Sequence, residues 1–369
     1  MPNKITRRQA LLSGASAVGA ALLSSRTFAQ DAGMEPRPDY LIRAGTNENP
    51  YGPSRLALQA INGAMHLTNR YGGIDDQLRA RLADLEQLSP DHIVVGTGSG
   101  EILRTAGMIA SMDKGSVVCA DPTYHDLVNY AERAGSKIIR VPVDDRLRID
   151  LDAIASAIRR DTTCVYLVNP NNPIPSIIAK DALRDFVLEV SKKCMVFIDE
   201  AYYEYVEDPA YASMMELVRN GHKNVIVART ASKIHGLAGL RTGFGYAHPD
   251  HIRLIDEKKT SRQNILSTSA AYASYGDVEF QNFTRRKAKE SMAIVEKMFE
   301  DLQLRYVRSH ANFTFFETGI DVRELNARLR EHGIHSGRPF PPFLKWSRIS
   351  MAKPHEMRYY VQTYKELFG

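Results

Sequence analysis

Short apolar runs recur along this chain, separated by stretches of helix length in which polar and apolar positions mix. Ile93-Val94-Val95, Val117-Val118-Cys119-Ala120, residues 137–141, Cys164-Val165-Tyr166-Leu167-Val168, Met195-Val196-Phe197-Ile198 and the run that follows Asn224 through Ala228 all read as strands, the last of them buried. A helical pattern follows the first run through Met112, and another covers residues 151–158. Strands alternating with helices predict an α/β fold built on a mostly parallel sheet. Beyond it, residues 251–287 are long, charged and largely helical, which suits a connection between domains. The C-terminal part changes character to α+β, with strands expected at 312–317, 334–337 and 346–350 and helices at 322–331 and 354–368. The expected division is therefore an N-terminal arm and part of a small domain at 30–70, a large domain at 71–265 and a C-terminal small domain at 266–369.

Open α/β sheets bind ligands beyond the carboxyl ends of their strands, so the residues that follow each apolar run carry the chemistry. After Ala228 comes Thr230-Ala231-Ser232-Lys233-Ile234-His235-Gly236-Leu237-Ala238-Gly239-Leu240-Arg241-Thr242-Gly243-Phe244-Gly245. Lys233, among small and apolar neighbours, is an amine placed to form a Schiff base with an aldehyde. Thr230, Ser232 and Arg241 supply two hydroxyls and a bidentate guanidinium for a phosphate. Taken singly a lysine is usually a solvated surface residue; the clustering is what singles this one out. Gly96-Thr97-Gly98-Ser99-Gly100-Glu101 opens the helical stretch after the first strand. It lacks the third glycine of a dinucleotide fingerprint, but backbone N–H groups at a helix start still suit a phosphate. Asp121-Pro122-Thr123-Tyr124, Asn169-Pro170-Asn171-Asn172-Pro173 and Asp199-Glu200-Ala201-Tyr202 close three further strands. Asp199 at the end of a fully apolar run is costly unless it meets a cation, with a helix N-cap as its bland alternative.

The Ser-Lys…Gly-Leu-Arg stretch, with these strand-end motifs in order, resembles the signature of the fold-type I pyridoxal-phosphate enzymes, the class I and II aminotransferases, and most nearly their histidinol-phosphate aminotransferase branch. The resemblance covers essentially the whole chain after its first residues. It implies pyridoxal 5'-phosphate bound covalently to Lys233, which also moves the substrate proton. It implies that Asp199 keeps the ring nitrogen protonated, that Asn172 and Tyr202 reach the phenolic oxygen, that Tyr124 stacks on the ring, and that Ser99, Gly100, Thr230, Ser232 and Arg241 hold the phosphate. Tyr71, in Asn69-Arg70-Tyr71, would touch the cofactor phosphate of a neighbouring subunit, which makes a homodimer with shared sites the expected assembly. Asn49 and Tyr51, in Asn47-Glu48-Asn49-Pro50-Tyr51-Gly52-Pro53, would lie over the active site as substrate contacts. Arg348, in Trp346-Ser347-Arg348-Ile349-Ser350, would pair with the α-carboxylate and Arg338 would help hold the substrate. The partners implied are an amino acid and a 2-oxo acid. Two departures stand out: Ile174-Pro175 replaces the family's Thr-Gly, and Gly100 replaces an acid. Because one fold hosts several reactions at Cα, a lyase, decarboxylase, racemase or oxidase remains an alternative to amino transfer, as does an exported binding protein without turnover.

Composition changes the picture at one end. Thr6-Arg7-Arg8-Gln9-Ala10-Leu11-Leu12 precedes an apolar, Gly/Ala-rich run to Leu23, and Thr27-Phe28-Ala29 offers a small-residue cleavage site, the pattern of a twin-arginine signal peptide at 1–29. Export by the twin-arginine machinery to the periplasm is expected, with the cofactor loaded beforehand. Histidinol phosphate, an intermediate of a cytoplasmic route, is then not the expected cellular substrate. Lys4, Arg7, Arg8 and Arg26 lie in that segment with no acid, so its removal drops the net charge from +5 to +1. Nothing in the remainder points to nucleic acid. Three cysteines, each in or beside an apolar run, read as buried free thiols with no metal spacing.

Overall fold

The computed structural model describes residues 35–369; the expected twin-arginine signal at 1–29 and the first residues of the arm lie outside the described residues. In chain order the strands are β1 (Ile42–Arg43), β2 (Ile93–Thr97), β3 (Ser116–Asp121), β4 (Lys137–Pro142), β5 (Thr162–Val168), β6 (Met195–Asp199), β7 (Val225–Thr230), β8 (Thr242–Ala247), β9 (Tyr306–Val307), β10 (Phe313–Glu317), β11 (Ile334–His335) and β12 (Trp346–Ser350). Seven of them form one sheet in the order β2-β8-β7-β6-β5-β3-β4. All neighbours in it are parallel except those of β8, which runs antiparallel to β2 and to β7.

The runs of β2, β3, β5, β6 and β7 are apolar because both faces of the sheet are covered there, whereas the edge strand β4 keeps Lys137 and Arg140 exposed. Val118, Val165, Val196 and Val227 pack into a core on one side, while their sequence neighbours Val117, Cys164, Phe197 and Ile226 pack into a core on the other. Cys119, Cys164 and Cys194 are free and buried in these cores, and burial pushes the Cys119 and Cys194 thiols up to about 12 and about 11. β8 carries no such run. Its Gly243 and Gly245 alternate with Phe244 and Tyr246, and both glycines are there for closeness. A Cβ on Gly243 would run into the backbone nitrogen of Ser99, and one on Gly245 would lie 2.9 Å from Val94 Cγ1.

The C-terminal part carries two small sheets, β1 parallel to β11 and an antiparallel β12-β10-β9. The helices Val278–Asp301, Val322–Glu331 and Pro354–Phe368 bury their apolar sides with β10 and β12 in a third core that holds Phe299, Phe316, Leu325, Ile349 and Tyr360. The expected connecting helix at 251–287 is three: Pro249–Lys258, Ile265–Ser274 and Val278–Asp301. The breaks fall where Asn264 and Asp277 turn their side chains onto the N–H groups of the next first turn, capping new helices. The strand expected at 334–337 stops at His335. Among the described residues no helix is long and apolar enough to cross a membrane.

Candidate active site

The carboxyl ends of β5, β6 and β7, the start of the helix Ser99–Ala110 and the arm before Glu48 open on one cavity of about 630 Å³. Lys233 lines it half-buried, its Nζ 5.4 Å from the centre of the Tyr202 ring. The structure also brings Ser99, Gly100, Tyr124, Asn172, Asp199, Tyr202, Thr230, Ser232, Arg241, Arg338 and Arg348 to the same cavity. Eleven residues named from sequence thus meet the lysine in space.

Asp199 ends β6 and is buried. Its Oδ1 accepts from the Ala201 N–H at 3.0 Å, and it takes part in no ion pair among the described residues. Burial pushes its carboxyl up to about 7, against the pull of that N–H and of Lys233. A carboxylate so placed is stabilised by a cation in the cavity, and a protonated pyridine nitrogen is such a cation. The N-cap alternative is not realised, since the turn after Asp199 leads only into a short 3₁₀ segment, Tyr203–Tyr205.

Tyr202 Oη accepts from Asn47 Nδ2 at 3.0 Å and from Asn172 Nδ2 at 3.4 Å, so two amides and a phenol converge. The other end of the Asn172 amide accepts from Arg348 Nη1 at 2.7 Å, while Arg348 Nη2 donates to the Gly45 carbonyl at 2.5 Å. Arg348 is buried against the Phe313 and Phe340 rings, its Nε has no partner, and burial draws it down to about 10. No carboxylate of the described residues pairs with it. A buried guanidinium satisfied only by neutral oxygens is a receptor for a carboxylate.

The phosphate side is equally built. Gly98, at φ +75°, leads into the helix Ser99–Ala110, and the Arg241 guanidinium lies where a Gly98 Cβ would be. Arg241 Nη1 donates to the Ser232 hydroxyl at 3.4 Å, and Thr230 Oγ1 donates to the same hydroxyl at 2.9 Å. Two hydroxyls, a guanidinium and a helix N-terminus form an anion cradle. Together the donor set fits pyridoxal phosphate: an amine for its aldehyde, a buried acid for its ring nitrogen, and this cradle for its phosphate.

Two residues expected over the active site do not line the cavity of their own chain. Asn49 is buried but does not line the cavity; its amide donates to the Ile234 carbonyl at 2.8 Å and the Thr284 hydroxyl at 3.2 Å, so it ties the arm to the lysine loop. Tyr51 packs edge-on against Phe283 at 4.9 Å, likewise outside the cavity of its own chain. Tyr71 is fully exposed and away from the cavity of its chain. What the sequence reading passed over is Asn47, whose positive φ of 55° turns it inward and whose Oδ1 accepts from Ser350 Oγ at 2.7 Å. It also passed over Arg330, His335 and Ser336, which line the mouth beside Arg338. A second asparagine in the same segment, two residues before Asn49, was the available signal for Asn47.

The sequence matches the family "Aminotransferase class I and II" over residues 41–363. A histidinol-phosphate aminotransferase of Moorella thermoacetica is 36% identical over 296 residues, 80% of this chain and 76% of that protein. One of Symbiobacterium thermophilum is 33% identical over 333 residues, 89% of this chain and 91% of that protein. The crystal structure of the histidinol-phosphate aminotransferase of Sinorhizobium meliloti in complex with pyridoxal-5'-phosphate superposes with a TM-score of 0.81 at 27% identity, covering 89% of this chain and 92% of that one. The amine, buried acid, anion cradle and carboxylate receptor are thus assembled on a fold shared with these proteins, and the chain belongs to the class I and II aminotransferases.

Proposed function

We propose that this pyridoxal-phosphate-dependent aminotransferase works as an exported homodimer, on an amino donor that carries a second anionic group and is not histidinol phosphate in the cell. Amino transfer itself follows from the family; the donor, the residue roles, the dimer and the periplasmic address are the further reading. Bound pyridoxal phosphate supplies an aldehyde for amines and a ring that accepts electrons from Cα. Lys233, whose half-buried amine lies in the cavity, would hold that aldehyde and move the proton at the substrate Cα. Asp199 keeps a positive charge on the ring nitrogen, and Asn172 and Tyr202 steady the phenolic oxygen. Arg348 orients the substrate by its carboxylate, with Asn172 holding the guanidinium from the side so that one amide serves both ends.

The observation that carries the donor reading is the cavity lining, where the exposed Arg338 and Arg330 share one volume with His335 and the buried Arg348. Arg338 stacks 4.3 Å over the Phe340 ring, and its only protein acceptor among the described residues is the Pro339 carbonyl. Its charge also helps draw the Arg348 pKa down, so the two cations act on one volume. A substrate with two anionic ends relieves that repulsion. The twin-arginine pattern argues against a cytoplasmic biosynthetic intermediate. The test is a panel of amino donors with 2-oxoglutarate or pyruvate as acceptor. Acidic donors are expected to lead, and Arg338→Ala should cost them about 10-fold or more in kcat/KM while sparing neutral donors, the range for a lost charged hydrogen bond. Strong selectivity for histidinol phosphate sinks the reading. Without any acceptor, amino transfer releases one 2-oxo acid per site and stops, whereas a lyase or decarboxylase continues.

A further inference from the structure

Behind the cofactor cradle, on the opposite side of the same two strands, lies a buried ionic cluster that the mechanism does not use. Asp199 pairs in register with Ala228 across β6 and β7, and the ladder continues as Glu200 N–H donates to the Ala228 carbonyl at 2.8 Å. Side chains alternate along a strand, so Asp199 and Thr230 line the cavity while their neighbours Glu200 and Arg229 turn away from it. Glu200 is 1% and Arg229 3% exposed. Arg229 Nε donates to Glu200 Oε2 at 3.1 Å, Nη2 donates to the Ser213 hydroxyl at 2.8 Å, and Nη1 pairs with Glu86. Ser213 Oγ donates back to Glu200 Oε2 at 2.6 Å, and the Met214 N–H donates to Glu200 Oε1 at 2.8 Å. The guanidinium lies 3.7 Å from the centre of the Tyr203 ring.

Every nitrogen of this guanidinium and both oxygens of Glu200 have a partner, in an interior where a charge missing one partner is expensive. Such a cluster adds little net stability over an apolar packing of the same shape, but it tolerates only one geometry. We propose that Arg229 and Glu200 are positioning residues of the cofactor site: their pair locks the ends of β6 and β7 in one register and so sets where the Asp199 carboxylate and the Thr230 hydroxyl stand relative to each other. The inference rests on the reading of Asp199 and Thr230 as cofactor-binding residues. Ser213 is the bridge that closes the pair, and Glu86 holds the guanidinium from the end of the helix Asp75–Glu86.

The test titrates the cofactor-free enzyme with pyridoxal phosphate, and follows the pH titration of the bound cofactor's visible absorbance, in Arg229→Met, Arg229→Lys, Glu200→Gln and Ser213→Ala. Arg229→Met should weaken cofactor binding about 10-fold or more and shift the absorbance midpoint, with Arg229→Lys between it and wild type and Ser213→Ala a smaller shift of the same sign, the scale at which supporting shells usually act. If Arg229→Met does not fold, Ser213→Ala and Glu200→Gln decide, since each removes one contact and keeps the bulk of the cluster. Variants that lower the unfolding midpoint of the cofactor-free protein but leave cofactor affinity within about twofold and the absorbance midpoint unmoved overturn the proposal. Wild-type protein that fails to bind the cofactor at all would refute the underlying reading instead, so the two failures are distinct.

Discussion

At the scale of single residues, Asp199 carries the most informative electrostatics. Burial raises its carboxyl from an ordinary value near 3.8 to about 7. Between those values the folded cofactor-free protein binds a proton that the unfolded chain has released, so its stability falls as pH rises from about 4 through about 7 and is flat above. The full difference is roughly 4 kcal/mol at 1.36 kcal/mol per pH unit, an upper bound because neighbouring groups relax. Asp199→Asn removes the titration and keeps the shape. Melting curves of cofactor-free wild type and Asp199→Asn should therefore diverge as pH rises, the variant becoming the more stable at pH 8. Cofactor binding should reverse the order, because a ring cation stabilises the carboxylate and not the amide. Parallel curves for the two proteins across that range would show that the carboxyl is not strained by burial. Asp199 was legible from sequence because an acid at the end of an apolar strand must meet something. Asn47 was not, because Asn49 offers the same side chain two residues on. Which of two asparagines in an extended arm faces inward depends on one dihedral, the positive φ at Asn47, and residue type does not reveal it.

Elements were legible where burial on both sides imposes an unbroken apolar run, which is why β2, β3, β5, β6 and β7 stand out in the sequence and β8 does not. Its glycines are required by the approach of the helix Ser99–Ala110, a contact between segments far apart in the chain. The same approach gives a prediction about Gly98. Its φ of +75° and ψ of 160° lie in a region that is essentially glycine's own. A Cβ there would also displace the Arg241 guanidinium. Gly98→Ala should destabilise the protein by about 1–3 kcal/mol through the backbone alone. It should lower cofactor affinity further than that strain accounts for, because Arg241 loses its place in the cradle. Equilibrium unfolding of the cofactor-free variant measures the first effect and cofactor titration the second. Gly100→Ala is the control. Its Cβ would meet only the Asp126 and Arg104 side chains, at 3.0 and 3.4 Å, and Ser99 is already helical before it. Equal losses in the two variants would mean that Gly98 matters only as part of a crowded loop.

For the whole molecule, the residue to test is Tyr71. Tyr71 is fully exposed, and Leu56, Leu58, Met65 and Leu67 in the segments just before it are exposed as well, an apolar face of the kind a partner subunit covers. If Tyr71 of one subunit completes the phosphate cradle of the other, then no monomer has a whole site, and the protein should behave as a two-fold dimer with composite active sites. Complementation tests this directly. Lys233→Ala and Tyr71→Ala are each expected to be nearly inactive as pure dimers. In a mixed dimer one of the two sites takes its lysine from one subunit and its tyrosine from the other, both wild type. Unfolding and refolding an equimolar mixture yields about half mixed dimers by random pairing, each with one intact site, so about a quarter of wild-type activity should return. Place is tested alongside assembly: if the protein is exported already folded, with cofactor and partner in position, changing Arg7-Arg8 to Lys-Lys should leave an active dimer in the cytoplasm. Additive, unrescued activities in the mixture would mean that each chain completes its own site and that Tyr71 is an ordinary surface residue. Export that ignores the arginine pair would remove the argument against a cytoplasmic substrate while leaving the dimer intact.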